Sequence, residues 1–551
     1  RDRSPSRGLG DVYKRQDIYT PDGTLRCSAG EVVDTVTTGA DGMATTKDLP
    51  YGTYVVHQTK GGNGRQLVAD FDVSISEDGK VYSYDLVNVQ KNAQLKIVKT
   101  SEDGVIEGIH FRVTRLEDSY SAEYVTNAAG EILTETLPIY ADKDGANKYQ
   151  YKVEELDTEE TFGYQLPDSQ TVELSEGEIA SVSFHNVPIE IGTKATVEGE
   201  KEVDPLDKVT LTDTVSYTGL VPGKEYRATG VLMDKETGEK LLVDGKEITA
   251  ETVFVPETKN GSVDVTFIFD ATGLHGKEIV VFEDLYRENM LLATHADIND
   301  EGQTVELKNP QISTVAVTED GSKTTLTADD VQITDTISYS DLTVGVEYRM
   351  TGILMDKATG KPFLDFDGNE VTAEATFTPA DADGTVELTF TFDSRQLDKD
   401  TKLVVFDELY RADTLLAVHK DIDAEDQTVE IRVPKIGTTA TSEDGHRVDP
   451  LGEVTIFDEV SYTNLKPEKE YTVSGVLMDK ATGKAFLDAD GKEIKAETTF
   501  TPTQPTGTVT VEFVFNATGL HGKEVVAFET LYYEGIELAT HAEINLSLIH
   551  I

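Results

Sequence analysis

VTLTDTVSY, from Val209 to Tyr217, repeats with a period of two residues and is rich in Val and Thr, the pattern of a β-strand rather than a helix. VDVTFIFD from Val263 and EIVVFEDLY from Glu278 follow the same rule. Between these runs lie LVPGKEY, DKETGEK and LVDGKE, whose Gly, Asp and Pro supply the positive-φ and fixed-φ positions that turns need. No segment sustains a helical period, so the class is all-β.

The neighbourhood of this stretch occurs three times. TGVLMDKETG begins at Thr229, TGILMDKATG at Thr351 and SGVLMDKATG at Ser474, steps of 122 and 123 residues. That spacing is too long for a solenoid unit and suits a complete sandwich of about 100 residues. A chain of 551 residues fits about four or five domains. The expected layout is an elongated rod of tandem Ig-like and prealbumin-like β-sandwiches. Units are expected at 17–90 and 91–188, followed by repeats at 189–308, 309–432 and 433–545. The flanks 1–16 and 546–551 (RDRSPSRGLGDVYKRQ and LSLIHI) differ in character from the rest, resemble translated adapter sequence and are expected to stand outside the fold. On that reading the first unit has lost its opening strand, and a signal sequence and wall anchor lie beyond the ends.

Composition excludes several functions. With 102 acidic against 49 basic residues the net charge is −53, which repels nucleic acid and anionic membranes. Cys27 is the single cysteine, so an internal disulfide and a Cys-based zinc site are both impossible. Covalent reinforcement must use other chemistry. No run approaches the roughly 20 apolar residues of a membrane span. DFDGNE at Asp365 and DADGKE at Asp488 hint at calcium loops, but repeat one reads LVDGKE and the other loop ligands are missing, so these are Asp-Gly turns. No metal or cofactor is expected, and no triad, phosphate loop or HExxH motif offers a site for enzymatic turnover.

Each repeat carries the same polar residues. Repeat one has Thr193, Asp213, Glu283, His295 and Gln303; repeat two has Thr314, Asp335, Asp407, His419 and Gln427. Repeat three has Thr438, Asp458, Glu529 and His541 but no Gln in its last residues. This pattern resembles the VaFE repeat family, named for residues that here stand as Val526, Ala527, Phe528 and Glu529. The resemblance implies an intramolecular ester between a Thr of the first strand and a Gln of the last, hence links Thr193–Gln303 and Thr314–Gln427.

The chemistry is demanding. A Thr hydroxyl is a poor nucleophile and a carboxamide a poor electrophile, so a base is needed near one and an acid near the other. His295 is the expected base. Two carboxyls forced together in a dry core cannot both ionise, so one of Asp213 and Glu283 is expected to keep a proton and polarise the Gln carbonyl. In repeat two Asp407 replaces Glu, and one methylene less is expected to leave the acid short of its partners.

DGMATTKDLPYGTYVV and AQLKIVKTSEDGVIEGIHFRV, in the two leading units, resemble the CnaB or SpaA type of prealbumin-like module. That resemblance implies a Lys–Asn isopeptide bond assisted by a buried Glu: Lys96, Glu155 and Asn186, with Lys99 and Glu154 as rivals. In the first unit Asn88 is present but Gln58 stands where the Glu should, and no first-strand Lys is expected, so no bond is expected either.

The expected protein is a monomeric stalk on the surface of a Gram-positive cell wall, joined to peptidoglycan through an anchor outside this sequence. Its expected partner is a host protein or glycan held by a tip region. The alternatives are that the sandwiches bind host ligands themselves, or that they are accessory modules of a surface enzyme.

Overall fold

The computed structural model describes residues 9–545 and 548–551. Strands make up nearly all of the ordered structure; the helical element among the described residues is a single 3-10 turn, Glu159–Thr161. The exposed area is 28927 Å². A single 60.3 kDa globule would expose about 19,000 Å², and five separate domains of equal size about 30,000 Å². The chain is therefore strung out as independent bodies.

In the first unit an antiparallel sheet runs in the order Val32–Thr37, Leu9–Lys14, Gly52–Lys60, Phe71–Ile75. The expectation that residues 1–16 stand outside the fold and that this unit lacks an opening strand does not hold for 9–14; residues 1–8 lie outside the described residues. Leu9–Lys14 pairs on both sides, satisfying ladder groups that its two neighbours would otherwise leave open. A first-strand lysine, Lys14, is thus present and buried, with Nζ 3.2 Å from the Tyr51 carbonyl. At the other end Ile549–His550 pairs with Glu524–Tyr533, and Ile549 fills the third core.

In the second unit the first strand, Asn92–Ser101, lies parallel to the last, Ile179–Pro188. A second sheet, Gln170–Glu173, Gln150–Glu155, His110–Arg115 and Ser121–Val125, closes the sandwich. Leu95, Ile97, Phe111, Tyr151, Val153 and Phe184 fill the space between.

Each repeat packs a three-stranded sheet on a larger one. In repeat one the small sheet is Ile191–Val197, Val209–Tyr217 and Gly261–Phe269. The larger is built on Tyr226–Asp234, Glu278–Arg287 and Thr304–Leu307. The strand alternation read from the sequence is the burial pattern observed: Val209, Leu211, Val215 and Tyr217 point inward. Asp213 shares their parity, and that carries an acid into an apolar core.

Successive domains touch through ion pairs. Arg287 of repeat one makes a bidentate pair with Asp157 of the second unit, at 2.6 and 2.7 Å. Arg411 of repeat two reaches Asp204 of repeat one at 2.5 Å, and Asp204 is fully buried by the contact.

Candidate functional site

The residues picked out in each repeat come from four strands and one loop. Thr193 lies on the first strand, Asp213 on the strand beside it, Glu283 in the facing sheet and His295 directly across from Glu283 in the ladder. Gln303 sits just before the last strand, Thr304–Leu307. Asp213, Glu283 and Gln303 are essentially inaccessible to solvent. Gly230 is the opposite number of Glu283 on its other side, and a Cβ there would sit 2.5 Å from Phe267 Cζ. Glycine at that position leaves room for the Phe267 ring.

The Gln303 amide nitrogen donates to both Thr193 Oγ1 and Glu283 Oε2. Asp213 receives no N–H or hydroxyl donor on either oxygen. Its neighbour is the Glu283 carboxyl, and two carboxyls in contact away from water are satisfied only by sharing a proton. Burial, reinforced by Asp213, pushes Glu283 up to about 10. Burial raises Asp213 as well. The pair therefore holds a proton at neutral pH.

Repeat two repeats the arrangement. Gln427 donates to Thr314 Oγ1 and, at 2.8 Å, to Asp407 Oδ2. The expectation that Asp407 falls short is corrected: it reaches the amide and stays within hydrogen-bonding reach of both Asp335 and Thr314. Burial, followed by the charge of Asp335, lifts Asp407 to about 8. Burial also raises Asp335, which lies in reach of Thr314.

The histidines are not where the base was expected. His419 Nδ1 lies 2.6 Å from Gln427 Oε1, the carbonyl end of the amide. His295 occupies the same strand position with Nε2 2.8 Å from Asp300 Oδ2. Neither is bonded to the Thr hydroxyl. The groups in reach of that hydroxyl are carboxyls: Asp335 and Asp407 around Thr314, Asp458 and Glu529 around Thr438.

Repeat three has the acids in place. Asp458 and Glu529 are buried, burial and Asp458 lift Glu529 to about 10, and burial raises Asp458 too. His541 stands opposite Glu529, its Nδ1 buried without a partner among the described residues. Ile549 takes the ladder place of Val305. The residue two before it, where Gln303 precedes Val305, is Ser547, outside the described residues.

In the second unit the lysine choice is corrected. Lys96 has the wrong parity: its side chain points outward and pairs with Glu131 at 2.7 Å. Lys99 shares the parity of Ala93, Leu95 and Ile97 and is buried, with Nζ 3.3 Å from Glu155 Oε2. Asn186 Nδ2 donates to Glu155 Oε1 at 2.6 Å. Burial lowers the Lys99 pKa and raises that of Glu155, which favours the neutral amine and the neutral acid. Glu154 points outward toward Lys152 and Arg112.

In the first unit Gln58 and Asn88 exchange amide bonds at 2.8 and 3.2 Å. Lys14 lies away from them: it pairs with Tyr54 in the ladder, whereas Gln58 pairs with Gly10. The acidic turns bind their own backbone, Asp365 Oδ1 to the Asn369 amide and Asp488 Oδ1 to those of Asp490 and Lys492.

Fold and site together define a protein of tandem β-sandwiches, each of whose repeats sets a first-strand threonine against a buried, proton-sharing carboxyl pair. The chain belongs to the family of T-Q ester bond containing domains, whose model matches residues 189–307, 310–431 and 434–546. A prealbumin-like fold domain of the SpaA type matches residues 15–90. No curated protein matches. Among solved structures the chain is similar to a bacterial adhesin from Mobiluncus mulieris containing intramolecular disulfide, isopeptide and ester bond cross-links. The identity is 14%, with 46% of this chain and 87% of that one covered, and the TM-score is 0.21. It is also similar to BcpA, the major pilin subunit of Bacillus cereus, at 12% identity over 62% of this chain and 95% of that one, TM-score 0.20. The full-length major pilin SpaD from Corynebacterium diphtheriae matches at 13% identity over 62% and 98%, TM-score 0.19.

Proposed function

We propose that this protein is a load-bearing stalk of a Gram-positive surface adhesin or pilus-like assembly, locked by self-formed Thr–Gln esters in repeats one and two and a Lys–Asn amide in the second unit. The observation that carries the reading is the Gln amide set against Thr and a protonated carboxyl, joining first to last strand across 110 residues in one repeat and 113 in the next.

The reaction follows from the contacts in repeat two. The ionised member of the Asp335–Asp407 pair accepts the Thr314 proton as Oγ1 attacks the Gln427 carbonyl carbon. His419 donates from Nδ1 to the carbonyl oxygen as it gains charge. The C–N bond breaks, and the protonated carboxyl beside the amide nitrogen supplies the proton that lets ammonia leave. The pair ends with the one proton it began with. In the second unit neutral Lys99 Nζ attacks the Asn186 carboxamide beside protonated Glu155, again releasing ammonia. Each event occurs once per chain, which is self-processing and not turnover.

Tension entering at the first strand and leaving at the last would pass through such a bond and bypass the domain between. Single-molecule pulling tests this: repeats one and two contribute no unfolding extension, whereas repeat three unfolds. Full-length extension from repeats one and two would refute the stalk reading.

A further inference from the structure

Both complete repeats place a lysine at the same point, 12 residues before the buried Asp: Lys201 before Asp213 and Lys323 before Asp335. Lys201 Nζ donates to the Gly302 carbonyl at 2.5 Å, and that carbonyl also accepts the Ala195 amide at 3.0 Å. In repeat two Lys323 Nζ donates to the Asp426 carbonyl, which accepts the Ala316 amide at 3.0 Å, and to the Ala316 carbonyl at 2.5 Å. Gly302 and Asp426 each immediately precede the reacting Gln. Ala195 and Ala316 lie two residues beyond the reacting Thr. In repeat two one ammonium thus fastens the Gln-bearing loop to the Thr-bearing strand, and in repeat one it holds the loop carbonyl that already accepts an amide from that strand. In repeat three, which has no Gln in its last residues, the equivalent position is His446.

We infer that Lys201 and Lys323 are positioning residues for ester formation, clamping the carboxamide against the hydroxyl before the bond forms. The inference rests on the ester reading above. A free Gln loop samples many arrangements, and reaction requires the carbonyl carbon within attack distance of Oγ1. The clamp removes that freedom at the residue next to the electrophile. Its charge also lies near Asp213 and Asp335 and lowers their pKa against the rise from burial, which favours keeping the shared proton on Glu283 and Asp407, beside the leaving nitrogen.

The test uses the full chain, recovered unfolded in urea before any link has formed and then refolded. The Thr193–Gln303 and Thr314–Gln427 cross-linked peptides are quantified against time by mass spectrometry. Lys201→Met should slow repeat one about tenfold, the scale of a hydrogen bond from a charged donor, while repeat two in the same molecule keeps its rate. Lys323→Met should do the reverse. Lys201→Arg, which keeps charge and donors, should recover most of the rate. Linking of both Met variants at the wild-type rate, or equal slowing by Met and Arg, would overturn the inference. Absence of both cross-linked peptides from wild type would remove the ester reading itself, and this inference with it.

Discussion

Lys99 Nζ and Glu155 Oε2 lie 3.3 Å apart with both side chains wholly buried, and Asn186 holds the other oxygen of the same carboxyl. Lys99→Ala should therefore abolish the ammonia loss of the second unit, whereas Lys96→Ala should retain it. Peptide mapping after digestion distinguishes the two. Lys99→Ala should also destabilise the unit, since it removes the link that ties the first strand to the last.

The parity that selects Lys99 was present in the sequence, because Leu95 and Ile97 are in step with it and out of step with Lys96. The same alternation put Asp213 between Leu211 and Val215 and made the fold class and the buried acids legible. The histidine role was not legible, since ring direction depends on how the Glu283–His295 and Asp407–His419 ladder pairs meet the Gln loop. Side-chain length alone understates the reach of Asp407, because the backbone position that carries it also sets its distance to Gln427. The likeness of the first 16 residues to adapter sequence hides the strand Leu9–Lys14, because strand pairing depends on open ladder edges.

Proton possession sets a pH dependence. A carboxyl donates only below its pKa, so linkage of repeat two should fall as pH rises through about 8, the value of Asp407, while repeat one continues toward about 10, the value of Glu283. At pH 7 both should link, and Asp407→Glu should move the fall of repeat two upward. Cross-linked peptide yields after refolding between pH 6 and 10 measure this. Coincident profiles for the two repeats would count against the assigned acids.

In an unlinked Thr193→Ala chain, the folded state retains the Glu283 proton above the ordinary carboxylate range, where the unfolded chain has released it. Stability of repeat one should then be greatest in acid and decline as pH rises toward about 10. Urea midpoints at pH 5 and pH 9 test the sign.

Repeat three should melt before the others. By the loop-entropy model, closing a loop of about 100 residues contributes about 4 to 5 kcal/mol, and this repeat has no Gln to close it. Thr438→Ala should leave its melting unchanged apart from the lost side-chain contacts, while Thr193→Ala should bring repeat one down toward it. Calorimetry resolves the transitions.

The most direct test is the intact mass of the purified full chain. The proposed function requires two esters and one amide, so the mass should lie below the sequence mass by three ammonia molecules. Thr193→Ala, Thr314→Ala and Lys99→Ala should each restore one in addition to the change expected from the substitution. A wild-type mass equal to that of the sequence, in folded protein, would contradict the account.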